Sequence, residues 1–182
     1  MKEMETRIIK IDVDLMRKKL EAIDAVKVKE EHQINNIFDF PDRRLLNKKG
    51  YARIRTVDDT IHDCKVNYMT TKKLLSQDKY KVMEENETII ENPEQGALIF
   101  ASLGLELVES IKKYRESYKY KNSLVEIDIN DKSFCPFPYI EIESNNEDEI
   151  REIVTLLGYT MEDTTSKTIY EILNIEGSLK GL

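Results

Sequence analysis

A chain of 182 residues suits one domain, spanning 1–182, with a core large enough to fold unaided. Its 28 basic and 35 acidic residues give a formal charge of −7, which disfavours general nucleic-acid binding, and no apolar run is long enough for a membrane span. The start MKEMETR lacks the apolar stretch of a signal peptide, so a cytoplasmic setting is expected, and Cys64 and Cys135, without any Cys/His grouping, point to structural thiols rather than zinc.

The first strand is expected over 2–10, where Glu3, Glu5 and Arg7 alternate with Met4, Thr6 and Ile8. A spacing of two sends both carboxylates and the guanidinium to one face of an extended strand. Asp12 or Asp14 is placed to cap a helix running to about Ala25, with Leu15, Leu20 and Ile23 on its buried side. Strands follow at 27–40, 50–57 and 61–69. In the second of these Arg53 and Arg55 are in phase, and in the third Lys65 takes the charged face, with Ala52, Ile54, Cys64 and Val66 opposite.

The strand expected at 79–90 puts Lys81, Glu85 and Glu87 in phase. Asn92 and Pro93 fit the cap and first position of a helix that stops near Gly104. Strands at 111–121, 123–130 and 138–144 carry Lys113 and Arg115, then Glu126 and Asp128, then Glu141 and Glu143. A helix over 147–157 shows Ile150, Ile153, Val154 and Leu157 at helical spacing, and Thr165 or Ser166 opens a last short helix through Ile172.

Eight antiparallel strands, each with one charged and one apolar face, predict an α+β fold. The strands close into a barrel without exposed edges, its polar residues lining a tunnel and its apolar outside covered by helices. Guanidinium pairs such as Arg53 and Arg55 match phosphate oxygens with paired donors. Glu3, Glu5, Glu141 and Glu143 offer the oxygen ligands that Mg²⁺ or Mn²⁺ prefer, and such ions commonly bind together with substrate phosphates. The plainer alternative is a set of cross-strand ion pairs. His32 and His62 lack a nucleophile partner, and Tyr114, Tyr118 and Tyr120 are read as packing residues.

These motifs resemble the CYTH proteins, also called triphosphate tunnel metalloenzymes. Glu3-Met4-Glu5-Thr6-Arg7 is similar to the opening E-x-E-x-K signature, with Arg in the place of Lys, and FDFPDRRLLNKKGYARIR resembles the segment that ends in A-L-R-I-R. Lys65, then Met83, Glu85 and Glu87 where R-x-E-x-E is common, Lys113-Tyr114-Arg115 for K-x-R, Asp128, Glu141-Ile142-Glu143 and the stretch from Ser166 to Tyr170 complete the order.

The resemblance implies an eight-stranded tunnel in which Arg7, Arg53, Arg55, Lys65, Lys81, Lys113, Arg115 and Lys167 hold phosphate oxygens, Lys81 standing in for the Arg that Met83 replaces. It implies a metal set of Glu3, Glu5, Glu141 and Glu143, helped by Glu85, Glu87 or Asp128, and Lys167, Arg55 and Glu5 as the catalytic residues. The expected activity is Mg²⁺- or Mn²⁺-dependent hydrolysis of inorganic tripolyphosphate or of a nucleoside or thiamine triphosphate. Class IV adenylyl cyclase is the alternative, placed second because no aromatic or amide pocket specific for adenine stands out. A non-catalytic polyphosphate or nucleotide-binding module is the third reading. The expected partner is a small triphosphate, with no nucleic acid or membrane, and the chain is a monomer or homodimer.

Overall fold

In the computed structural model residues 2–173 are described, apart from the side chains of Lys2 and Glu3. Eight strands form a closed antiparallel barrel in the order β1-β5-β4-β3-β2-β6-β7-β8. They are β1 (Lys2–Ile9), β2 (Val26–Asp39), β3 (Tyr51–Asp59), β4 (Cys64–Gln77), β5 (Lys81–Ile90), β6 (Glu106–Tyr120), β7 (Ser123–Asn130) and β8 (Tyr139–Ser144). Closure pairs every strand on both sides, so all the ladders are satisfied internally.

On β1, β3, β7 and β8 the apolar half of the alternation faces outward and is covered. Helices α1 (Val13–Ala22) and α3 (Glu147–Leu156) supply Met16, Leu20, Ile150, Ile153 and Val154, which bury against Val125, Ile127, Ile140 and Ile142 of β7 and β8. A stripe of period 3.6 thereby meets a stripe of period two, and both leave water. Helix α2 (Pro93–Ser102) lays Phe100 on Phe38, ring centroids 5.2 Å apart, beside Ala52 and Ile54. Asp12 and Asn92 cap the first two helices by accepting from Leu15 N–H and from Glu94 and Gln95 N–H. Gly104, at φ +87°, takes the left-handed position just past α2 that a side chain would strain. Among the described residues no helix is long and apolar enough to cross a membrane.

A third apolar cluster holds Cys135, Tyr139 and Ile169, with Phe134, Phe137 and Ile172 packed against them, and Phe134, Tyr139 and Ile169 also line the barrel cavity. It joins the β7–β8 loop to α4 (Ile169–Ile172). Cys135 is therefore a buried thiol, whereas Cys64 is exposed.

Several boundaries differ from the sequence expectation. Strand β4 runs on to Gln77 instead of ending at 69, because an irregularity between Leu74 and Ser76 breaks the alternation that would reveal its far half. Strand β6 starts at Glu106, its extra turn-side residues pairing with Phe38 and Asp39. Helix α1 ends at Ala22, and α4 is capped by Thr168 rather than Thr165 or Ser166. Gly50, ahead of β3, lies against β4 so closely that an added Cβ would stand 2.5 Å from the Lys72 carbonyl oxygen.

Candidate functional site: a charged tunnel

The barrel interior is a cavity of about 900 Å³ lined by charged side chains from all eight strands. Strand β1 contributes Glu5 and Arg7, β5 Lys81, Met83, Glu85 and Glu87, β4 Lys72, β3 Arg53 and Arg55, β2 Glu31 and Asn35. Lys113 and Arg115 come from β6, Glu126 from β7, and Tyr139, Glu141 and Glu143 from β8. Strand register decides which of them meet, since residues directly opposite on neighbouring strands share a face.

Arg7 stands opposite Glu141, and its Nε donates to Glu141 Oε1 at 2.7 Å while its terminal nitrogens reach Glu5 and the Lys167 carbonyl oxygen. Lys81, opposite Glu5, pairs with it at 2.5 Å. Arg115 faces Asp128 and donates to both its carboxylate oxygens at 2.6 Å; it also contacts Glu141 at 2.8 Å and pairs with Glu126. Lys113 reaches Asp128 at 3.0 Å. Over strand β4, between β3 and β5, the pairing is looser, with Arg55 to Glu87 at 3.1 Å, Arg53 to Glu87 at 3.4 Å and Arg53 to Glu85 at 3.6 Å. The Nε atoms of Arg53 and Arg55 are buried without a partner, two guanidinium donors held ready for an acceptor.

The carboxylates divide electrostatically. Burial works against ionising Glu141, but Arg7 and Arg115 outweigh it and hold the carboxyl well below its usual range; at Glu5, Lys81 and Arg7 likewise outweigh burial and lower the carboxyl. Glu143 goes the other way, pushed well up by burial and by the neighbouring charges of Glu126 and Glu5. Burial and the Arg115 charge lower Lys113, and burial with Arg53 lowers Arg55. Ligand atoms of Glu126, Glu141 and Glu143 lie within 4.8 Å of one another. Oxygen-only donors crowded until one of them resists ionisation suit a hard divalent cation, whose charge would remove the repulsion.

The structure brings Glu5, Arg7, Arg53, Arg55, Lys81, Glu85, Glu87, Lys113, Arg115, Glu141 and Glu143 to the tunnel wall. Lys65 is a correction: it lies opposite Asp58 on the outward face and is exposed, because the β3–β4 register puts Arg53 across from Thr70 and so turns the even-numbered β4 residues inward. Lys72 is the β4 lysine in the tunnel, 2.8 Å from Glu85. The side chain of Lys167 is exposed and off the cavity wall, only its carbonyl oxygen engaging Arg7. Asp128 is fully buried behind Arg115 and Lys113, its oxygens already engaged. Glu3 pairs through its backbone with Met83, but its side chain lies outside the described residues.

Glu126, Lys72 and Glu31 were not part of the expected site. Glu126 was visible as an in-phase acid, and its pairing with Glu141 is what promotes it. His62 sits exposed at a turn against Asp59, and Tyr114 and Tyr118 donate to Glu116 on the barrel exterior.

A sequence model of the CYTH domain matches residues 1–169. A Methanocaldococcus jannaschii protein named as a candidate adenylate cyclase is 28% identical over 177 residues, covering 90% of this chain and 95% of that one. Among solved structures, the PH1012 protein of Pyrococcus horikoshii superposes with a TM-score of 0.75 at 23% identity, over 93% of this chain and 98% of that one. HpAC1 of Hippeastrum, named as a candidate adenylyl cyclase and described as having a dominant triphosphatase activity, gives a TM-score of 0.68 at 16% identity, over 97% and 95%. With the family model covering nearly the whole closed barrel, the chain belongs to the CYTH domain family.

Proposed function

We propose that this protein is a divalent-metal-dependent triphosphatase that holds its substrate inside the barrel. The observation that carries the reading is the placing of two chemistries on facing walls of one cavity: guanidinium groups with unpartnered buried Nε atoms at Arg53 and Arg55 on β3, and three carboxylates within 4.8 Å at Glu126, Glu141 and Glu143 on β7 and β8. Phosphoryl transfer asks chiefly for positioning and charge neutralisation. Arg53, Arg55, Lys72, Lys113 and Arg115 would orient the phosphates, with Lys81 and Arg7 setting the ionisation of Glu5. Mg²⁺ or Mn²⁺ held by Glu126, Glu141 and Glu143 would supply charge neutralisation at phosphate oxygens and an acidified water. The closed wall limits bulk water around the reacting phosphate, which strengthens every charge–charge contact inside.

The second reading is a class IV adenylyl cyclase, favoured by the name of the Methanocaldococcus relative. Incubating the purified chain with ATP or tripolyphosphate and Mg²⁺ or Mn²⁺ separates the two. Orthophosphate supports the hydrolase; cyclic AMP with pyrophosphate supports the cyclase; neither product with any metal leaves only the non-catalytic binding module. Glu5→Gln is expected to remove mainly metal-dependent turnover and Arg55→Ala mainly substrate affinity. Equal, undiminished turnover in both would count against these roles.

A further inference from the structure

On β2, between the cationic strips of β3 and β6, the tunnel wall is nearly neutral. Glu31, Gln33 and Asn35 follow one another on the inner face, 6%, 2% and 5% exposed. Gln33 Nε2 donates to Glu31 Oε2 at 2.5 Å, and Asn35 Nδ2 donates to Gln33 Oε1 at 3.3 Å. The ladder has a direction fixed by its base. A carboxylate only accepts, so Gln33 must present its NH₂ to Glu31 and its oxygen to Asn35. Asn35 must in turn present its NH₂ to Gln33, and its Oδ1 is left over. That oxygen is buried on the cavity wall without a partner.

Directly across the β2–β3 ladder from Asn35 is Arg55, whose Nε is likewise unpartnered. Opposed residues on one face have Cβ atoms about 5 Å apart, so one small group can span both. An ionised phosphate oxygen satisfies the Arg55 donor but offers the Asn35 acceptor nothing, since it has no hydrogen to give. A hydroxyl does both, donating to Oδ1 and accepting from Nε.

We propose that Asn35, oriented by Gln33 and Glu31, reads a hydroxyl on an organic substituent of the triphosphate, so that the preferred substrate class is a nucleoside triphosphate rather than inorganic tripolyphosphate. The inference rests on the triphosphate-binding reading above. Asn35 is a specificity residue in this scheme, and Gln33 and Glu31 are positioning residues acting through it.

The test is calorimetric titration of the intact chain with the β,γ-imido analogue of ATP and with the 2′,3′-dideoxy form of that analogue, Mg²⁺ present. The wild type is expected to favour the hydroxylated analogue about tenfold, the scale of one buried hydrogen bond. Asn35→Leu is expected to lose that preference, and Gln33→Leu, which frees Asn35 to turn its amide, to weaken it. Equal wild-type affinity for the two analogues would overturn the hydroxyl assignment, as it would if water alone fills the Asn35 oxygen, while leaving the triphosphate reading intact. A preference that survives in a folded Asn35→Leu variant would overturn the choice of Asn35. Failure of both analogues to bind a wild type that still binds tripolyphosphate would overturn this inference alone, and failure of tripolyphosphate to bind as well would overturn the triphosphate reading with it. The wild-type comparison decides the question even where a variant does not fold.

Discussion

Replacing Glu143 by Gln is expected to stabilise the metal-free protein while weakening its hold on divalent cations, two effects of opposite sign from one oxygen. Glu143 lies across the β1–β8 ladder from Glu5, and its carboxylate is within 4.8 Å of ligand atoms on Glu126 and Glu141. Burial, Glu126 and Glu5 together raise its pKa well above 4.5. Between 4.5 and that raised value the folded protein keeps a proton that the unfolded chain has released, so the native state binds more protons and stability falls as pH rises. Each pH unit in that window costs about 1.4 kcal/mol. At pH 7.5, three units above the ordinary value, the gain in Glu143→Gln has a ceiling of about 4 kcal/mol, already net of the opposing charges of Lys72 and Arg115. Below the unfolded pKa both proteins carry a neutral side chain there, and the gain should vanish. Urea unfolding with chelator at pH 4 and pH 7.5 measures this, and Mn²⁺ titration at pH 7.5 should show the variant at least tenfold weaker. A Gln variant less stable than wild type at pH 7.5, or more stable by the same amount at both pH values, would refute the argument.

Two further perturbations probe other parts of the molecule. Lys72→Met should weaken tripolyphosphate affinity about tenfold or more by removing a tunnel cation, whereas Lys65→Met, on the exposed outer face, should leave affinity unchanged; competitive binding with tripolyphosphate compares them, and a larger loss in Lys65→Met would reverse the assigned register. Glu116 is fully buried on the barrel exterior, where Arg17, Tyr118, Tyr114 and Lys27 overcome the burial penalty and pull its pKa down to about 2. A lowered acid contributes stability above its unfolded pKa and loses it as pH falls toward 2, so Glu116→Ala should cost about 3 kcal/mol near pH 7 and progressively less in acid. Thermal unfolding across that range checks it, and a pH-independent deficit would show that packing rather than charge is lost.

The barrel was legible because its signal is long: six segments with charged and apolar positions in strict alternation leave few other ways to bury Ile127, Ile140 and Ile142. The site was legible only as far as phase was. Arg53 and Arg55 are separated by a single residue whose partner face is plainly apolar, so their inward direction follows from the strand itself. Lys65 and Asn67 alternate cleanly with Cys64 and Val66, yet here the charged face turns outward, because its direction is set by the register with β3, a nonlocal fact. Lys72 was hidden in another way, since Thr70-Thr71-Lys72-Lys73-Leu74-Leu75 has no alternation and the irregularity before Ser76 erases what remains. Glu126 gains its importance from lying across from Glu141, which no spacing within β7 can reveal. Gln33 and Asn35 are ordinary polar residues in sequence; only the hydrogen-bond direction imposed by Glu31 makes one of their oxygens conspicuous.

The ion pairs of the tunnel also bear on why an acidic protein should take a polyanion. Along β1, β5 and β6 these cations are already spoken for, Arg7 by Glu5 and Glu141, Arg115 by Asp128, Glu126 and Glu141, and Lys81 by Glu5. A triphosphate entering alone would have to compete with those carboxylates for the same donors, and each carboxylate displaced would be left buried and unpaired, a cost of several kcal/mol. A divalent cation entering alone would compete with Arg115 for Glu126 and Glu141. Entering together they would let the partners exchange, Arg53, Arg55 and Arg115 holding phosphates while Glu126, Glu141 and Glu143 would hold the metal, which would supply the charge neutralisation both sets need. The mixed-sign lining therefore disfavours either ligand singly and favours the metal–triphosphate complex, whereas an all-cationic lumen would bind any small polyanion without discrimination. Arg53, with a bare Nε atom and contacts of 3.4 and 3.6 Å to Glu87 and Glu85, is the exception that would let a phosphate make its first contact before any carboxylate has to move.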